Sequence, residues 1–172
     1  MIPAAARAWR LVGLPYGVVV EALGLGEWEV RPLAAEEVDR VGAVLGLARL
    51  DQRDGFYLVA WERDTPVGHA YLALTDPPEL QDVDVRPEYR RRGVASSLTV
   101  AVEAEALARG FDRLRVTVSI DNKPAQALYR KLRYVDVGLP PRHARGTILI
   151  RTGALEVDDT LLTWEKRLIR LR

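Results

Sequence analysis

The sequence predicts a single α/β (α+β) domain, and three observations predict it. Segments with apolar residues at every second position alternate with segments whose apolar residues recur every third or fourth. The 172 residues suffice for one full core. Over residues 80 to 107 (LQDVDVRPEYRRRGVASSLTVAVEAEAL), a strand, a basic glycine-bearing turn and an amphipathic helix follow without a break.

Residues 1–27 form an N-terminal extension. Arg7 and Arg10 precede a short apolar run, Leu11 to Val20, interrupted by Gly13, Pro15 and Gly17. The run is too short to span a bilayer. It suits an extra packing element or a dimer arm rather than a misplaced start or an export signal, so a cytoplasmic protein is expected. Trp28 to Leu33 alternates as a first strand. Ala34 to Ala48 places Val38, Val41, Leu45 and Ala48 on one helical face. Arg49 to Gly55 is a polar loop. Phe56 to Glu62 and Val67 to Leu74 make a hairpin about Arg63–Pro66.

Leu80 to Val85 is the next strand, with Val83 and Val85 on one face and Asp82 and Asp84 on the other. Pro87 ends it. A helix starts near Ala95, with Leu98, Val102, Ala106 and Leu107 on one stripe, and Gly110 caps its end. Leu114 to Ile120 alternates as a strand. Asn122 and Pro124 open another helix, which carries Leu128, Tyr129 and Leu132. Tyr134 to Val137 is a short strand, Pro140 and Pro141 break the chain, and Thr147 to Ile150 extends briefly. Leu161 to Ile169 is the final strand.

Composition removes several chemistries. There is no cysteine, which excludes disulfides, thiolate zinc and a cysteine acyl-enzyme. His69 and His143 stand far apart without ligand company, so no metal site is expected. The serines have no G-x-S-x-G setting. A net charge of +1 gives no field for nucleic acid or a membrane surface. Neither partner is expected.

The turn at 90–96 suits an anion. A helix start leaves backbone N–H groups without acceptors and carries partial positive charge. Gly93 lets the backbone come close, and Arg90, Arg91 and Arg92 add donors. Alone, such a turn is more often a solvated basic loop. A second motif decides between the readings: Asn122, Ala125, Leu128, Tyr129, Leu132 and Tyr134 at the spacing N-x-x-A-x-x-L-Y-x-x-L-x-Y.

With Arg90-x-x-Gly93-x-Ala95 upstream, the chain resembles the GNAT superfamily, the Gcn5-related N-acetyltransferases, over about residues 28 to 172. The resemblance implies the GNAT fold, a central mixed, mostly antiparallel, splayed sheet with helices on both faces. It also implies acetyl-CoA as acyl donor and an N-acetyltransferase activity in which a primary amine attacks the thioester directly. The cofactor arm would run along Val83 and Val85. The pyrophosphate would sit on amides of the stretch Arg91, Arg92, Gly93, Val94, Ala95 and Ser96, and Asn122 and Ala125 would border the arm. Tyr129 would protonate the departing sulfur; its plain alternative is a core aromatic. Asp82 is the preferred base, through water; an ion pair to Arg115 is nearly as good a reading, and Glu79 and His69 are further candidates. Arg133 stands where the family has glycine, which would strain it at positive φ.

The acceptor is expected to be a small-molecule amine or a protein N-terminus. Asp51, Asp54, Glu156, Asp158 and Asp159 would draw cationic amines if they converge, and are otherwise solvated turns. The extension and Trp164 admit a homodimer. The competing reading is a catalytically inactive CoA-binding sensor or scaffold.

Overall fold

The computed structural model describes residues 10–14, 17–21, 27–49 and 53–169. Among the described residues ten strands form one sheet: β1 (Arg10–Leu14), β2 (Gly17–Glu21), β3 (Glu27–Pro32), β4 (Gly55–Glu62), β5 (Thr65–Ala73), β6 (Glu79–Val85), β7 (Arg113–Ser119), β8 (Val135–Asp136), β9 (Arg142–Ile150) and β10 (Gly153–Arg167). Their order is β1-β2-β3-β4-β5-β6-β7-β10-β8, with β9 also on β10. Every pair is antiparallel except β6–β7. The helices are α1 (Val38–Leu45), α2 (Val94–Ala108) and α3 (Lys123–Lys131).

Period-two patterning sorts the side chains onto two cores. On β4, Leu58 and Ala60 join the larger core under α2 and α3, whereas Tyr57, Val59 and Trp61 join the smaller one under α1. Helices therefore lie on both faces. Val94, Leu98, Ala101, Val102 and Ala106 of α2 are buried on the sheet. The approach is close at Gly68: a Cβ there would stand 3.2 Å from Val94 Cγ1 and 2.9 Å from the Asp84 carbonyl oxygen. A small residue on β5 thus lets the start of α2 settle beside β6.

The hairpin at 10–21 adds two strands beyond β3, with Val18 opposite Val30 and Val20 opposite Trp28. Residues 1–9, including Arg7, lie outside the described residues, as does Asp51. Three expectations change. The first helix is shorter than Ala34–Ala48, because residues 35–37 form a 3₁₀ turn and Gly46 ends α1 in the left-handed region at φ 64°. The last two strands are a long hairpin, Arg142–Ile150 with Gly153–Arg167, rather than Thr147–Ile150 and Leu161–Ile169. Residues 142–149 and 153–156 are largely exposed, so no apolar alternation marked them. Trp164 is 4% exposed and packs in the core, so it offers no dimer surface. Arg133 has φ 72°, the left-handed conformation its position implied.

Candidate active site

The sheet parts at its one parallel junction. β6 and β7 are in register only at Glu79–Arg115 and Leu80–Val116. Beyond that point β7 stays with β10 as far as Ser119. β6 bulges instead: His69 faces Asp84 and Tyr71 faces Gln81, so Ala70 alone spans the positions of Asp82 and Val83. Asp82 sits at φ 46°. The extra residue turns the alternation over. Leu80 and Val85 share the larger core and Val83 packs on it, although an unbroken strand would set Leu80 opposite Val83 and Val85. The expected split therefore holds, with Val83 and Val85 toward the larger core and Asp82 and Asp84 on the His69 face; what the bulge alters is that Leu80 joins the valines. Asp84 is exposed beside Arg90 at 3.4 Å, whereas Asp82 is turned to the α1 side of the sheet.

Asp82 is anchored through one oxygen. Its Oδ2 accepts the Tyr57 hydroxyl at 2.5 Å and the Ala48 amide at 3.2 Å, and lies 3.5 Å from His69 Nε2. Burial works to raise its pKa; the His69 imidazole, Tyr57 and Ala48 outweigh burial and hold the carboxyl below its ordinary value. Its side chain keeps 24% of its surface exposed. Arg115 is not its partner, since that guanidinium pairs with Glu165 at 2.6 Å.

The hairpin reaches this spot from the far side. The Arg151 amide, at the β9–β10 tip, donates to the Ala48 carbonyl at 3.1 Å, and its guanidinium meets Asp39 of α1 at 3.2 Å. Ala48 therefore ties Asp82 with its N–H and the hairpin with its carbonyl. The acidic residues are mostly engaged. Asp54 binds Arg49 and the Tyr71 hydroxyl, Asp159 accepts from Ser119, and Asp158 lies 3.0 Å from His143.

At the start of α2 the first ladder bond runs from Ser97 N–H to the Gly93 carbonyl, which leaves the amides of Val94, Ala95 and Ser96 without an intrahelical acceptor. Gly93 holds φ 83°, where glycine costs least. The three arginines differ. Arg90 donates its Nε to the Val85 carbonyl at 2.9 Å, and Arg92 lies over the Trp28 and Tyr89 rings at 5.0 and 5.1 Å. Arg91 is exposed at φ 59°, with no ion pair among the described residues. Val85 is also engaged through its amide, which donates to Asp84 Oδ1 at 2.9 Å. Val83 is the less encumbered of the two arm positions.

α3 begins where β7 ends. Asn122 caps it: Oδ1 accepts the Ala125 amide at 3.1 Å. Gln126, 3% exposed, donates to the Ser119 and Ile120 carbonyls at 2.9 Å and binds α3 to β7. Tyr129 is 7% exposed, and burial pushes its phenol up to about 12. Its ring meets Tyr134 edge to face at 5.5 Å. The Tyr134 hydroxyl donates to Glu103, which Lys166 also binds at 2.7 Å. Sequence reasoning missed Tyr57, Ala48, Arg151 and Gln126. For Tyr57 the one available signal was a strand tyrosine on the same face as Val59 and Trp61. Two surface cavities, about 410 Å³ beside Arg113 and Arg167 and about 480 Å³ at the β4–β5 turn, lie away from the parting.

The model of the acetyltransferase (GNAT) family matches residues 24–134, more than half of the chain. The chain belongs to that family. Among curated relatives, a thialysine N-epsilon-acetyltransferase of Bos taurus is 40% identical over 58 residues, 34% of either chain. An acetyltransferase of Sodalis glossinidius is 38% identical over 50 residues, 29% of this chain and 35% of the relative. The chain thus spans about a third of the length of these relatives. A solved ribosomal-protein-alanine N-acetyltransferase from Escherichia coli superposes with a TM-score of 0.65 at 15% identity, covering 84% of this chain and 96% of that one. That likeness is one of fold. No helix among the described residues is long and apolar enough to cross a membrane.

The GNAT donor is acetyl-CoA, and the residues here fit it. A turn of unpaired amides with a free arginine suits a pyrophosphate, and the parting beside Val83 offers strand edge to an amide-bearing arm.

Proposed function

We propose that the protein transfers an acetyl group from acetyl-CoA to a primary amine, by direct attack of the amine on the thioester. The parting of β6 from β7 next to the start of α2 carries this reading. When bound, acetyl-CoA supplies an acyl carbon activated as a thioester. The amides of Val94 to Ser96 and the Arg91 guanidinium hold the pyrophosphate. Val83 lends its strand edge to the arm. Asn122 spends Oδ1 on its cap and keeps its NH₂ for the arm or a water. Holding amine and thioester together supplies much of the acceleration.

Asp82 takes the amine proton at Oδ1, through water, because Oδ2 is committed to Tyr57 and Ala48. Its lowered pKa keeps it ionised at neutral pH and makes it a relay rather than a store. Tyr129 donates a hydrogen bond to the departing sulfur. With the phenol at about 12 and a free thiol near 8.5, full transfer to sulfur is uphill, so the tyrosine stabilises the thiolate by donation.

The acceptor is a small-molecule amine or a protein N-terminus. The bovine relative's name specifies thialysine and the bacterial neighbour's a protein alanine, both amines. Asp54, Asp158 and Asp159 are engaged, so they offer little free charge to a polycation.

The test is free-thiol release from acetyl-CoA by purified protein across pools of amines. Release that depends on an amine supports the reading and names the acceptor class. Calorimetric CoA binding without release from any pool favours a sensor or scaffold.

A further inference from the structure

We propose that Trp28 is a positioning residue for the pyrophosphate-binding turn, acting through the Arg92–Gly93 peptide; this rests on the placement of pyrophosphate proposed above. Trp28 is 2% exposed on β3, and its indole N–H donates to the Arg92 carbonyl at 3.3 Å, 64 residues away. In a trans peptide the carbonyl and the following N–H point in opposite directions. Fixing the Arg92 carbonyl on Trp28 therefore aims the Gly93 N–H away from the β3 side of the turn.

The peptide needs such a lock. Gly93, at φ 83°, follows it directly, and glycine makes rotation of the adjoining peptide plane inexpensive. A rotated plane would present a carbonyl oxygen where an anion needs a donor. The surroundings hold the same arrangement. The Arg92 guanidinium covers the Trp28 and Tyr89 rings, which meet edge to face at 6.1 Å, and Glu62 accepts the Tyr89 hydroxyl at 2.9 Å and lies 3.5 Å from Arg92. Arg92 thus serves through its backbone, and its side chain closes the outer side of the turn.

The experiment compares the affinity of Trp28→Phe and wild-type protein for CoA and for pantetheine, which lacks the pyrophosphate, by calorimetry. Phenylalanine keeps an aromatic ring and removes the N–H. The expected result is a three- to tenfold loss of CoA affinity, about one hydrogen bond, with pantetheine affinity unchanged. Equal losses on both ligands, or none on CoA, overturn the role. Wild-type protein that binds both ligands equally well overturns the pyrophosphate site itself, and the role of Trp28 with it. Should Trp28→Phe fail to fold, the indole N–H resonance of Trp28 in the wild-type protein must shift on adding CoA and stay in place on adding pantetheine; a shift with both ligands, or with neither, overturns the role.

Discussion

The Tyr57 hydroxyl donates to Asp82 Oδ2 at 2.5 Å, from β4 across β5 to the bulge of β6. That bond joins the small core under α1 to the strand that borders the parting, and it decides which carboxylate oxygen is left for chemistry. A regular strand would not bring Asp82 here. The bulge, the α1 terminus at Ala48 and the tyrosine together hold a partly exposed charge in one orientation.

Tyr57→Phe removes one of the donors that hold the Asp82 pKa down. The carboxylate is the working form, so activity falls as pH drops through its pKa. With the donor gone that pKa rises, and the acid limb of the kcat profile moves to higher pH. The measurement is kcat against pH for both proteins. Asp82→Asn, which cannot take a proton, should lower kcat on the order of a hundredfold or more and leave KM for acetyl-CoA within about twofold.

Tyr129→Phe should lower kcat by about ten- to a hundredfold, the worth of a hydrogen bond to a charged group, with CoA affinity retained. Because burial pushes the phenol to about 12, the wild-type profile should show no alkaline fall from Tyr129 below pH 10. Steady-state kinetics and calorimetry check both halves.

The arginines of the turn should not be equivalent. Arg91→Ala should raise KM for acetyl-CoA about fivefold or more, and the effect should shrink in high salt. Arg90→Ala, whose guanidinium serves the Val85 carbonyl and Asp84, should act less on KM and more on stability. KM at two ionic strengths separates them.

Arg133 is exposed at φ 72° where family members carry glycine. Arg133→Gly should stabilise the protein by up to about 1 kcal/mol, raising Tm by about 2–4 °C. Thermal unfolding reads this directly.

Much of this was legible in the chain. Arg90, Gly93 and Ala95 marked the turn that opens α2, Asn122 the cap of α3, and the alternation of Leu114, Val116 and Val118 the strand between them. What was hidden depended on distance or exposure. Nothing near Asp82 marks a bulge: no glycine or proline interrupts 79–85, so the sequence did not show that Leu80 would share a face with Val83 and Val85. Three neighbouring arginines look alike in sequence, yet Arg92 finds its partners, Trp28 and Glu62, far away in the chain. The β9–β10 hairpin is exposed over much of its length and carries no buried stripe for periodicity to find.

The most direct test of the central claim is amide hydrogen exchange with and without CoA. New protection is expected at residues 91–96 and along β6 about Val83, with β1 to β4 unchanged. Protection confined to another surface, with none at residues 91–96, would contradict it.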